Sequence, residues 1–201
     1  MSNYSVRLAK KADLSYIPTI EAAAARLFEP YAAQLEISVD LLSGLTPMSF
    51  LERAQIEKRV WVAIADAQPV GFIVAKFLQE SCFVVEIDVL PAYGRQGIGA
   101  ALIDGCCEGA RSRNQKQITL TTFRYIPWNI PFYRQCGFEI LPPDRWSYEI
   151  KAIVQHEARY GFAQKHRVVM HRLLPEKLPE KLPEKLPETT SLGLDKSRIN
   201  E

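Results

Sequence analysis

The sequence predicts a mixed α/β fold, one sheet with helices packed on its faces. Three observations point there. Strands come first and are followed by strand, helix, strand, helix and strand, an order that needs a sheet covered by helices. An apolar strand, residues 84–89, runs into a turn holding Gly94, Gly97 and Gly99 and then into a helix. The 201-residue chain is 47% hydrophobic, enough for the core of one ordinary domain.

The elements follow in order. Residues 6–9 read as an opening strand. Asp13 is placed to cap a helix running roughly to Phe28, with Ile17, Ile20, Ala24, Leu27 and Phe28 at helical spacing. Pro18 falls in its first turns and leaves its start open. Residues 29–46 read as irregular, and residues 47–58 as a second helix. Residues 60–65 and 70–77 form a hairpin across the turn Asp66-Ala67-Gln68-Pro69. The strand ending at Val89 leads to a helix over about residues 97–113 and a strand over 117–123. A short helix follows over 130–136, stopped by Gly137 in the left-handed conformation. Residues 138–141 and 167–173 read as the last two strands.

From Leu174 the unit Leu-Pro-Glu-Lys repeats, ending at Glu188. A proline every fourth residue excludes a stable α-helix, and leucines at that spacing build no core. The division expected is a domain over residues 1–174 and an extended, disordered tail over 175–201. An inert tail and a proline-rich docking arm for a partner both remain open.

Composition narrows the function. A formal charge of +2 gives no argument for nucleic acid or an anionic membrane. No apolar run approaches the roughly 20 residues that span a bilayer. The first residues lack the layout of a signal peptide. Cys82, Cys106, Cys107 and Cys136 form no CxxC pair and read as reduced thiols. A cytoplasmic protein is expected. His156, His166 and His171 lack metal-ligand spacing, so no metal is expected.

The chemistry centres on the glycine turn. Free amides of a first helical turn, with the helix dipole behind them, favour phosphate or pyrophosphate. On the helix, Ile98, Leu102 and Cys106 form one stripe, while Ala101, Gly105 and Gly109 form a very small one that lets it lie close to a sheet. Gly97-Ile98-Gly99 lacks the third glycine of a dinucleotide fingerprint and lies mid-chain. No Gly-Lys-Ser/Thr ending marks a P-loop. Glu86 and Asp88 alternate onto one face of the strand just before the turn. A carboxylate on an apolar strand is costly unless paired, hydrated or used. Glu86 is therefore the candidate base and Asp88 a weaker one. Asn129 and Tyr133, four apart, share a helical face, and Asn129 is also placed to cap that helix.

Gly97-x-Gly99 after a strand, followed by Asn129 and Phe132-Tyr133-Arg134-Gln135-Cys136-Gly137-Phe138, resembles the GNAT superfamily of acyl-CoA-dependent N-acyltransferases. The likeness spans about residues 4–174 in element order and is most specific between Glu86 and Phe138. It implies a mixed, mostly antiparallel sheet with splayed central parallel strands and flanking helices. It implies backbone contacts from Ile87, Asp88 and Val89 to a pantetheine arm. The amides of Arg95, Gln96, Gly97, Ile98, Gly99 and Ala100 would hold the pyrophosphate. Asn129 would bond the pantetheine, and Tyr133 would reach the thioester sulfur. Gly94 stands where the family motif carries Gln or Arg, and Arg95 is placed to take over that contact.

The activity implied is acetyl or short-acyl transfer from acetyl-CoA to a primary amine, small or peptidic, by direct attack with Glu86 as base and Tyr133 as acid. A non-catalytic acyl-CoA-binding or sensing module is the alternative. Glu29, Glu36, Asp40, Glu149 and Glu157 would draw a cationic amine or form a solvated acidic face. A homodimer through an edge strand is compatible with the layout.

Overall fold

A seven-stranded sheet in the order β1-β2-β3-β4-β5-β7-β6 organises the computed structural model, which describes residues 4–42 and 44–175. The Leu-Pro-Glu-Lys repeats beyond Pro175, and the expectation of a disordered tail, lie outside the described residues. The strands are β1 (Tyr4–Leu8), β2 (Val60–Ala65), β3 (Gln68–Phe77), β4 (Cys82–Val89), β5 (Gln117–Phe123), β6 (Glu139–Ile140) and β7 (Arg167–Leu173). The helices are α1 (Ile17–Ala25), α2 (Ala32–Leu35), α3 (Val39–Leu42), α4 (Met48–Ile56), α5 (Ile98–Arg111), α6 (Asn129–Gln135) and α7 (Tyr148–Arg159). Among the described residues only β4 and β5 pair in parallel; the other pairs are antiparallel. The mixed, mostly antiparallel sheet with flanking helices is the architecture the sequence predicts.

Helix α5 lies against one face, where Ile98, Leu102, Ile103, Cys106 and Cys107 bury against Ile73, Ala75, Cys82, Val84, Ile118 and Leu120. Its small stripe sets the approach. A Cβ on Gly109 would sit 2.2 Å from Trp61, and one on Gly105 would sit 3.2 Å from Val6. The opposite face carries α1 and α4 over Val62, Phe72 and Val74, and α7 over Phe83 and Val169.

Strand β4 carries two irregularities. Val74 pairs with Glu86 while Ala75 pairs with Val84, so Val85 is an extra, bulged residue. A bulge reverses side-chain parity. Before it Cys82 and Val84 face α5 and Phe83 faces α7; after it Ile87 and Val89 face α5. Glu86 and Asp88, opposite Val74 and Phe72, thereby turn to the α1 side. Pairing of β4 with β5 also stops at Val84 and Leu120, although β4 continues to Val89 and β5 to Phe123. The two strands part there, which is the splay the sequence predicts.

Several boundaries differ from the sequence reading. The first helix begins at Ile17 after a 3-10 turn over Lys11–Tyr16, and Asp13 sits inside that turn, accepting from the Lys10 amide and from Arg7. Residues 29–46 are not wholly irregular, since α2 and α3 lie within them. Helix α7 has no counterpart in the sequence reading. Ser147 caps it by accepting from the Ile150 amide at 3.2 Å, and Ile150 and Val154 bury beneath it.

Candidate functional site

The break between β4 and β5 opens into a cleft of about 430 Å³. Its floor is residues 85–89 of β4 and 121–123 of β5; α1, α3 and α6 supply its walls, with Glu157 of α7, Phe162 and Arg167. Because the sheet is open here, groups from its two faces meet. Glu86 and Asp88 enter from the α1 side, while Tyr133 and Asn129 enter from α6.

The strand backbone is unpaired along this gap. The Leu90 amide donates to Val70, so alternation turns the amides of Asp88 and Glu86 toward β3 and those of Ile87 and Val89 into the opening. Among the described residues the Ile87 amide meets only the Glu86 carboxyl, at 3.3 Å. Beyond Val89 the chain makes a 3-10 turn over Pro91–Tyr93, tied to the β2–β3 turn by the Tyr93 hydroxyl donating to Asp66 at 2.8 Å. Arg95 and Gly97 then take positive φ, 59° and 84°. A left-handed arginine is strained, so the loop holds that shape against local preference. The Ala101 amide, bonded to the Gly97 carbonyl, is the first to find a partner in α5. The amides of Ile98, Gly99 and Ala100 therefore have none in the helix. Gly99 is where the cleft reaches this turn: an added Cβ would meet the Phe132 ring at 3.0 Å.

The electrostatics of the cleft are one-sided. Desolvation is the largest influence on Glu86; with the neighbouring Glu21 carboxylate it pushes the carboxyl up to about 7, while the Ile87 amide and Arg167 pull down. The Glu86 side chain is half-buried and opens to the cleft. Asp88 is raised well above the carboxylate range by burial first, then by Glu86 and Glu21. The Tyr133 hydroxyl is raised by burial and by the same two acids on β4. Glu21 is raised by burial, although it accepts from the Thr46 amide at 2.9 Å and hydroxyl at 2.7 Å. Glu157 is satisfied by Arg167, whose Nε donates to it at 3.0 Å, and by the Thr121 hydroxyl. The Arg167 guanidinium also lies 4.7 Å from the Phe123 ring centroid.

Of the residues singled out in the sequence, Glu86, Ile87, Asp88, Val89, Gly99, Asn129 and Tyr133 line the cleft. Arg95, Gln96, Gly97, Ile98 and Ala100 form the turn at its end; the Ile98 side chain is core, leaving only its amide outward. Asn129 is not a helix cap. It is the first residue of α6, and its Nδ2 donates to the buried Thr122 hydroxyl oxygen at 2.8 Å, which leaves Oδ1 for the cleft. Among the acids expected to draw an amine, only Glu157 lines the cleft. Glu36 pairs with Lys165 at 2.6 Å, Glu149 accepts from the Gln79 amide, and Glu29 and Asp40 lie elsewhere. Glu21, Thr122 and Arg167 were missed. Glu21 had a legible signal, a charge on the same stripe as Ile17, Ile20 and Ala24. Among the described residues, no three His, Cys, Asp or Glu side chains converge as metal ligands.

Residues 57–140 match the family model described as an acetyltransferase (GNAT) domain. The chain is 33% identical over 75 residues to an uncharacterized protein, YxbD, of Bacillus subtilis. That stretch covers 37% of this chain and 46% of the relative, about half its length. An acetyltransferase structure from Streptococcus agalactiae superposes with a TM-score of 0.62 at 16% identity, covering 87% of this chain and all of that one. The PaiA N-acetyltransferase of Thermoplasma acidophilum, solved with coenzyme A, superposes at 0.59 and 16% identity, covering 85% of this chain and 98% of that one. These likenesses establish the fold.

Proposed function

We propose that the chain is a member of the GNAT superfamily, supported by the acetyltransferase (GNAT) domain match over residues 57–140, and that it transfers an acetyl or other short acyl group from acyl-CoA to a primary amine. The observation that carries the reading is the break between β4 and β5. It brings unpaired strand amides, free helix amides, a raised carboxyl and a half-buried tyrosine to one cleft.

Each group has a task. The amides at the start of α5 bind pyrophosphate, helped by the helix dipole and by Arg95. The backbone of Ile87 and Val89 pairs with the pantetheine amides as an added strand would. Asn129, its Nδ2 already used by Thr122, offers Oδ1 to a pantetheine N–H. The acceptor arrives as an ammonium with a pKa near ~10 and must lose a proton to attack. Glu86, raised to about 7, is a stronger base than an ordinary carboxylate and takes that proton directly or through water. Nitrogen bonds to the carbonyl carbon and the C–S bond breaks. Tyr133 donates a proton to the departing sulfur and is reprotonated from the nitrogen. Of the ammonium's three protons, one stays on the amide, one ends on the thiol and one leaves to solvent.

A thiol-release assay with acetyl-CoA and a panel of amines tests the reading. The panel includes alkyl amines, polyamines, aminoglycosides and peptides with free N-termini. Acetylation of at least one acceptor is expected. Binding of acetyl-CoA with no acceptor acylated would instead favour an acyl-CoA-sensing module.

A further inference from the structure

The loop that leads into α5 keeps a shape its own residues resist. Arg95 takes φ 59° and Gly97 takes 84°. From Arg95 to Gly97 no backbone amide donates a hydrogen bond among the described residues. Local bonds stop just before, where the Tyr93 amide donates to Leu90 at 2.8 Å and the Gly94 amide to Pro91 at 3.1 Å. A left-handed arginine persists only where its surroundings enforce it. The enforcing contacts therefore come from outside the loop.

Two such contacts come from β1 and from the β2–β3 turn. That turn is two residues long, Asp66-Ala67, because Ala65 pairs with Gln68. Both residues take positive φ, 50° and 62°, as the tight hairpin turn that suits strand twist requires. Such a turn favours glycine at its second position, so Ala67 adds another strained point. The turn presents Asp66 to the loop, where its carboxylate accepts from the Tyr93 hydroxyl at 2.8 Å. The Tyr93 ring packs against the core that α5 covers, so the bond joins two anchored ends. Tyr4 of β1, paired with Ala65, brings its hydroxyl so near Gly97 that a Cβ there would sit 3.2 Å from it. Neither Asp66 nor Tyr93 lines the cleft.

Resting on the acyl-transfer reading, we propose that Asp66 and Tyr93 are positioning residues for the donor: their hydrogen bond braces the loop so that its free amides face the pyrophosphate before the cofactor arrives. The brace touches no reacting atom. It lowers the ordering cost of binding, and it does so for the pyrophosphate alone. A donor without that group gains nothing from it.

The test compares acetyl-CoA with S-acetylpantetheine, which keeps the thioester and part of the arm but has no pyrophosphate. The proteins are the wild type, Tyr93→Phe, Asp66→Ala and Asp66→Asn. A single hydrogen bond is worth roughly 3- to 10-fold in affinity. KM for acetyl-CoA should rise by about that factor in Tyr93→Phe and in Asp66→Ala, with kcat unchanged. For S-acetylpantetheine, kcat/KM should stay at the wild-type value. Asp66→Asn keeps an oxygen to accept the bond and should keep the wild-type KM. The double variant Tyr93→Phe with Asp66→Ala should cost no more than either change alone. An equal loss for both donors would mean general damage to the fold and overturns the proposal, as does an unchanged KM for acetyl-CoA. Calorimetric titration with CoA and with pantetheine gives the same comparison without turnover. CoA binding that weakens in Tyr93→Phe and Asp66→Ala while pantetheine binding does not supports the brace even if no amine is acetylated; acyl transfer then fails and the brace stands. Equal CoA binding in all four proteins overturns the brace and leaves acyl transfer untouched, and no CoA binding to any of them overturns both.

Discussion

At the scale of single residues, the role proposed for Glu86 ties activity and stability to pH in opposite senses. A carboxyl raised to about 7 is protonated below that pH and cannot act as a base. We expect kcat/KM for the amine to climb through neutral pH. Glu86→Gln should remove that limb and lower kcat about 100-fold or more. Stability runs the other way. The folded state holds this proton to a higher pH than the unfolded chain does, so Glu86 weakens the fold as pH rises from the ordinary carboxylate range through 7. Glu86→Gln should therefore melt higher than the wild type at pH ~8, by on the order of 1 kcal/mol given the open side of the cleft, and little differently at pH ~4. Tyr133→Phe makes a separate prediction. Its hydroxyl has no hydrogen-bond partner among the described residues, and its ring packs on Phe132 and Phe138. The fold should tolerate the loss while kcat falls about 100-fold and acetyl-CoA binding by calorimetry stays close to wild type.

At the scale of elements, α5 shows a case where intrinsic propensity and packing disagree and packing wins. Alanine favours a helix over glycine by about 1 kcal/mol. At Gly109, however, the new methyl would lie 2.2 Å from Trp61, and overpacking of that kind costs about 3 kcal/mol. Gly109→Ala should thus destabilise by about 2 kcal/mol in urea unfolding, the clash less the propensity gain. The small stripe itself was legible, because Ala101, Gly105 and Gly109 recur every four residues. So were the glycine turn, the Asn129–Tyr133 face and Glu86, all set by short-range spacing. Helix α7 was readable in principle from Ser147 and the Ile150–Val154 pair, although Tyr148 at its start is 87% exposed and blurs the apolar pattern. The bulge at Val85 was not readable. It exists only in the pairing of β4 with β3, and no residue of β4 marks it. It reverses parity, so the sequence could place Glu86 and Asp88 together but could not say which layer they face. Thr122 and Arg167 were hidden for the same reason: their partners, Asn129 and Glu157, come from elsewhere in the chain.

At the scale of the whole molecule, a formal charge of +2 conceals two fields of opposite sign. The start of α5, with Arg95 and free amides, is positive and lies at one end of the break. The α1 side of the same break is acidic, with Glu21 and Glu157 against one arginine and Glu86 adding charge as it ionises near pH 7. The donor of the proposed reaction is a polyanion and the acceptor a cation, so each is attracted to its own side and repelled by the other. That arrangement sorts the substrates before any specific contact forms. Salt reads it directly. Screening shortens to about 10 Å at 0.1 M and to about 3 Å at 1 M, so added NaCl should weaken capture of both substrates. Raising NaCl from ~0.05 to ~0.5 M should lower kcat/KM for acetyl-CoA and for a cationic amine acceptor each by several-fold, with kcat nearly constant, since contacts inside the cleft are screened much less. Glu21→Gln removes one acid from the acceptor side while keeping an oxygen for Thr46. It should flatten the salt dependence for the amine and leave that for acetyl-CoA as it was. Parallel salt slopes for both substrates in wild type and variant would mean that the cleft attracts by contact alone, without a field that reaches into solvent.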